Sequence, residues 1–146
     1  MMKAYINGVQ LYYKESGRSD AVLLVHGFPL NHTIWLPQAR ALASRYRVIL
    51  PDLRGHGRSE APPGPYPIDL YADDLAALLD HLQVERVILG GLSMGGYIAF
   101  AFYRKYAHRL RALILADTRA GADAPEGRER REAMARLAEE EGAAAI

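Results

Sequence analysis

Ser93 stands in Gly91-Leu92-Ser93-Met94-Gly95-Gly96, with a glycine two residues away on either side. An apolar run, Arg86 to Leu89, precedes this stretch, and a helical pattern from Met94 to Tyr106 follows it. A serine on a sharp strand-to-helix turn exposes its hydroxyl as a nucleophile. The N–H groups and dipole of the following helix favour the negative charge that develops beside it. Glycines belong in such a turn because neighbouring backbone leaves no room for β-carbons. The chemistry that fits is covalent attack on a carbonyl. The plainer alternative is a helix N-cap serine after a glycine turn.

Attack on a carbonyl creates an oxyanion, which needs two preorganised donors. The backbone N–H of Met94, next to the serine, is one candidate. The N–H of Phe28, in His26-Gly27-Phe28-Pro29 after the apolar run Ala21 to Val25, is the other. That second stretch reads equally as a strand-ending turn with a buried structural histidine. A third stretch, Asp52-Leu53-Arg54-Gly55-His56-Gly57-Arg58-Ser59, lacks the Gly-Lys-Ser/Thr ending of a phosphate-binding loop, and the chain has no G-x-G-x-x-G. His56 is a candidate base, but its loop reads better as a hydrogen-bonded structural corner.

These three stretches, in this order, resemble the α/β-hydrolase family, and within it the single-domain esterase, enol-lactonase and cofactor-free perhydrolase group. The resemblance runs from Tyr5 to about Asp117. It implies that Ser93 is the nucleophile, that the N–H groups of Phe28 and Met94 form the oxyanion hole, and that no cofactor or metal is used. It further implies cleavage of a carboxylic ester or lactone of a small, fairly apolar substrate through an acyl-enzyme, with a histidine base oriented by Asp or Glu. Serine at 93 argues against the epoxide-hydrolase and dehalogenase branches, which resemble this pattern with aspartate there.

The chain departs from the family where the acid and base normally follow the serine. His108, the one later histidine, sits at the exit of the helix after Ser93, on the far side of the sheet. Asp117 ends the next strand at the same sheet edge as Ser93. It is a candidate acid, read more readily as a loop-capping aspartate, and Asp123 is a weaker one. The last strands of the fold are expected to be missing, and the acid and histidine to lie outside this segment. A non-catalytic binding module, or an inactive fragment of the same fold, is the competing reading. Trp35, Leu30 and Tyr97 are candidate pocket walls that are more often core packing.

The elements that must position these residues follow from periodicity. Lys3 to Ile6 and Val9 to Lys14 read as strands joined by a tight Asn7-Gly8 turn. Ala21 to Val25, Tyr46 to Leu50, Arg86 to Leu89 and Leu113 to Ala116 are apolar enough for buried parallel strands. Helices are expected from His32 to Ser44, around Leu70, Leu75, Leu78, Leu79 and Leu82, from Met94 to Tyr106, and from Glu126 to Glu141. The alternation predicts an α/β fold: a mostly parallel sheet with helices on both faces and an N-terminal hairpin. Residues 1–117 are expected to form the N-terminal portion of the core and 118–146 the start of a cap or lid.

The 146 residues suffice for one domain, and half of them are hydrophobic. A net charge of +1 gives no reason to expect nucleic acid or a membrane surface as partner. There is no cysteine, and the five histidines lack zinc-type spacing. No apolar leader opens the chain, which makes the cytoplasm the expected location. Leu113-Ile114-Leu115 would form an exposed apolar edge, so a second polypeptide or a homodimer covering it is expected.

Overall fold

The computed structural model describes residues 2–146. Strands β1 (Met2–Ile6), β2 (Val9–Ser16), β3 (Ala21–Val25), β4 (Arg47–Pro51), β5 (Val87–Leu92) and β6 (Leu110–Ala116) form one six-stranded sheet in the order β1-β2-β4-β3-β5-β6. The pairs β1–β2 and β2–β4 are antiparallel, while β4–β3, β3–β5 and β5–β6 are parallel. Asn7 and Gly8 both have positive φ, at 46° and 77°, the backbone of the tight hairpin turn expected there.

Period-two side-chain alternation splits the sheet between two layers of helix. Leu23, Val25, Ile49 and Leu89 face α2 (Ile68–His81) and α3 (Met94–Tyr106), with Leu75, Leu79, Ile98 and Phe102 completing that core. Val22, Leu24, Val48 and Leu50 face the opposite way, onto Ala39 of α1 (Leu36–Leu42) and the partly buried Trp35. The expected helix from His32 to Ser44 is shorter than its pattern. Its first turn is a 3₁₀ turn over His32–Trp35, capped by Asn31, and Pro37 lies in the first turn of α1. No helix among the described residues is long and apolar enough to cross a membrane.

At the C-terminal edge β6 forms the exposed apolar edge expected of Leu113-Ile114-Leu115 rather than a fully buried strand: only Leu110 is buried, with Ile114 and Leu115 exposed at 46% and 45%. Nothing among the described residues pairs with its outer side, so an apolar sequence alone does not bury it. The helix α4 (Pro125–Glu141) buries no residue.

One buried ion pair ties the hairpin to the helical layer. Arg54 donates from Nε and Nη2 to the two oxygens of Asp74 on α2, at 2.8 Å each, and from Nη2 to the Asn7 carbonyl. The Asn7 amide donates to the same carboxylate. Removing one partner of a buried pair strands the other charge without water. Asp74→Ala is therefore expected to lower the unfolding free energy by about 3–5 kcal/mol in denaturant titration. A loss below about 1 kcal/mol, the range of an exposed pair, would contradict this account of the junction.

Candidate active site

Parallel α/β sheets bind ligands beyond the carboxyl ends of the strands, where the winding reverses. Here β4 follows β3 on one side of it and β5 lies on the other, so the reversal falls between β3 and β5. The loop after β3 carries His26 to Phe28, and the turn after β5 carries Ser93.

Ser93 has φ 52° and ψ −112°, a conformation that an L-residue occupies only under constraint. The constraint comes from several sides. The Ser93 N–H donates to the Ala116 carbonyl of β6 at 3.0 Å. The Ser93 carbonyl accepts from the Gly96 N–H and from the Thr118 hydroxyl, both at 2.9 Å. A β-carbon on Gly91 would lie 2.2 Å from the Gly95 carbonyl oxygen, and one on Gly95 would lie 2.5 Å from that of Val25. One on Gly96 would meet the Thr118 hydroxyl at 2.3 Å. The glycines thus serve three different close approaches: the turn on itself, the turn on β3, and the turn on the segment after β6.

The second loop is held as tightly. The Leu53 N–H donates to His26 Nε2 at 3.1 Å, so the His26 proton is on Nδ1, which donates to the Gly27 carbonyl at 2.9 Å. The Leu30 N–H donates to the same carbonyl at 2.9 Å. In a trans peptide the N–H points opposite to the carbonyl, so fixing the Gly27 oxygen fixes the direction of the Phe28 N–H. Gly27 itself approaches Ser93: an added β-carbon would lie 3.3 Å from Ser93 Cβ. Among the described residues the N–H groups of Phe28 and Met94 and the hydroxyl of Ser93 have no hydrogen-bond partner.

The loop from Asp52 to Ser59 is the scaffold beneath. Asp52 is fully buried, and its Oδ2 accepts the Arg58 N–H at 2.9 Å. The Ser59 hydroxyl donates to the Asp52 carbonyl and accepts the Tyr12 N–H. His56 turns its Nδ1 to the Arg54 carbonyl at 3.0 Å, and its ring packs edge-on to Phe28. This is the arrangement of a structural corner. His108 is exposed in a 3₁₀ turn before β6, at the opposite end of the sheet from Ser93. Asp117 is exposed at φ 42° with no side-chain partner among the described residues. Asp123 accepts from Arg131 and Arg119, whose guanidiniums hold its carboxyl below the usual carboxylate range. Arg131 also reaches the hydroxyl and ring face of Tyr97. Trp35 packs in the α1-side core, while Leu30 is exposed.

The sequence does not reveal Thr118 as part of the site; the second glycine of Gly95-Gly96 is the one sign that something packs there. The role of His26 in aiming the Phe28 N–H was equally hidden, since it depends on Leu53 from a separate loop. Among the described residues no group of three His, Cys, Asp or Glu side chains could hold a metal ion.

A family model described as the alpha/beta hydrolase fold matches residues 20–140. The chain resembles a thermophilic esterase from Thermogutta terrifontis, solved with malate bound, at 47% identity and a TM-score of 0.90; the match covers 97% of this chain and 54% of that one. 3-Oxoadipate enol-lactonase 2 of Acinetobacter baylyi is 37% identical over 114 residues, 77% of this chain and 43% of the relative. Epoxide hydrolase 2 of Siraitia grosvenorii is 39% identical over 111 residues, 74% of this chain and 35% of the relative. The chain thus spans about half, or less, of the length of these proteins.

Burial lowers the His26 pKa from its ordinary 6.5 to about 4, against the opposing pull of its bond to the Gly27 carbonyl. The folded protein therefore binds fewer protons than the unfolded chain between these values. Stability attributable to His26 is complete above about pH 6.5 and falls as the pH drops toward 4. The total is about 3 kcal/mol at roughly 1.4 kcal/mol per unit. Ring NMR should find the Nδ1–H tautomer intact at pH 5; a His26 midpoint near the ordinary value would contradict the assignment.

Proposed function

The chain belongs to the alpha/beta hydrolase fold family, and from that premise we propose that it carries the nucleophile and oxyanion hole of a serine hydrolase. Ser93 attacks the carbonyl of a small, fairly apolar carboxylic ester or lactone. The serine proton passes to a histidine supplied by residues outside this segment, and an Asp or Glu orients that histidine. The carbonyl oxygen, now negative, accepts from the N–H groups of Phe28 and Met94. Collapse of the tetrahedral intermediate expels the alcohol, which takes the proton back from the histidine, and leaves an acyl-serine. Water, activated by the same histidine, attacks the acyl group and restores Ser93. The loop after β6 and α4 form the start of a cap over the substrate.

The observation that supports this reading is a serine held at positive φ beside the Gly27 loop, with the N–H groups of Phe28 and Met94 unpaired among the described residues. Donors fixed before the reaction need no reorganisation as charge develops, and each is worth about 10²–10³ in rate. Serine at this position supports acyl transfer over epoxide opening, despite the similarity to an epoxide hydrolase. A non-catalytic binding module is the second reading. It is favoured by the engagement of His26, His32 and His56 in structural contacts, which leaves no described histidine bonded to Ser93.

A chimaera tests the proposal. This chain is joined to the remaining part of the Thermogutta terrifontis esterase, and cooperative unfolding establishes that the product is folded. Hydrolysis of short-chain aryl esters is expected, with Ser93→Ala lowering kcat by about 10⁴-fold or more. A folded chimaera that is inert, or one whose Ser93→Ala variant keeps its rate, would overturn the serine-hydrolase reading.

A further inference from the structure

A second polar cleft opens beside the sheet, apart from Ser93. It has a volume of about 610 Å³ and shares no lining residue with the Ser93 turn; Tyr12, Lys14, Asn31, His32 and Arg58 lie along it. His32 is the unusual member. Its side chain is 8% exposed, and its Nδ1 donates to Asp52 Oδ1 at 2.8 Å. The His32 backbone N–H donates to that same oxygen at 2.8 Å. The far nitrogen, Nε2, has no partner among the described residues, yet it is not sealed from solvent. A buried imidazole held by a carboxylate on one side thus lines the cleft, with its other nitrogen unpartnered.

The neighbours supply positive charge and donors. Lys14 on β2 is exposed and makes no hydrogen bond or ion pair among the described residues. Asn31 uses its oxygen to accept from the Thr33 N–H and hydroxyl, and its NH₂ has no partner among the described residues. The Arg58 guanidinium lies over the Tyr12 ring, 5.3 Å from its centroid. The one carboxylate in the lining, Asp52, is fully buried and already accepts three N–H bonds. Its charge is therefore largely answered from within, while that of Lys14 is not.

We propose that this cleft binds a small oxyanion, a phosphate or carboxylate group, between the Lys14 ammonium, the Asn31 amide and His32 Nε2. An ammonium and a planar amide lining one cleft suit an anionic oxygen. With Nδ1–H committed to Asp52, Nε2 accepts from an acidic O–H of the ligand. The site does not depend on Ser93 chemistry, and it stands or falls separately from the hydrolase reading.

The test is NMR titration of the 146-residue chain with inorganic phosphate, and separately with acetate, at constant ionic strength. The His32 ring and the Asn31 side-chain amide are followed. Saturable shifts confined to the cleft are expected for at least one anion, with a Kd on the order of 1 mM. The arm that saturates tells phosphate from carboxylate as the recognised group. Lys14→Met, an exposed change on β2, is expected to weaken binding about fivefold, the scale of a partly exposed charge contact. Lys105→Met, on α3 and outside the cleft lining, is the matched charge control and should leave binding unchanged. Absent or non-saturating shifts with both anions would overturn the site, as would equal weakening by the Lys14 and Lys105 variants or none by Lys14→Met.

Discussion

Ser93 holds a backbone conformation that costs an L-residue about 1–3 kcal/mol, and it persists because neighbouring segments over-determine it. Its N–H is committed to β6, its carbonyl to Thr118, and the helix that follows it starts against the carbonyl of Val25 on β3. A relaxed turn would break the first bond and swing the hydroxyl away from the Phe28 loop. The close approaches at Gly91, Gly95 and Gly96 are thus one constraint met from three directions. A side chain at any of them would push apart the strands that keep Ser93 in place.

The same logic extends outward. The Phe28 N–H is aimed because Gly27 is fixed, Gly27 is fixed by His26, and His26 is oriented by the Leu53 N–H. Leu53 belongs to the loop that Asp52 and Ser59 pin to β2. The corner after β4 therefore has a purpose its own residues do not advertise: it sets the tautomer of a histidine two strands away from β2. Protonating that histidine would remove the acceptor at Nε2 and loosen the loop that carries the Phe28 N–H without touching the serine.

Much of this was legible from residue types. The glycine-flanked serine, the apolar runs and the Asn-Gly turn each act through local geometry, so their order along the chain sufficed to give the α/β sheet and the position of the turn. What stayed hidden depends on contacts across the fold. Thr118 looks like the first residue of a polar loop until the structure packs it on Gly96. His32 reads as a helix start, and only the fold brings Asp52 to it. In β6 composition and position disagree, and the exposed edge expected from its position is what forms. Its residues have the composition of a buried strand, but burial requires a neighbour, and among the described residues it has β5 alone.

The account rests on two backbone donors converging on an oxygen bonded to the carbon that Ser93 attacks. A crystal structure of the hydrolytic chimaera after phosphonylation tests this most directly, because the tetrahedral phosphorus stands in for the intermediate. The prediction is phosphorus bonded to Ser93 Oγ, with one phosphonyl oxygen about 2.7–3.1 Å from both the Phe28 and the Met94 nitrogen. Phosphorus on another residue, or a phosphonyl oxygen turned to solvent while the Phe28 N–H stays unbonded, would contradict it.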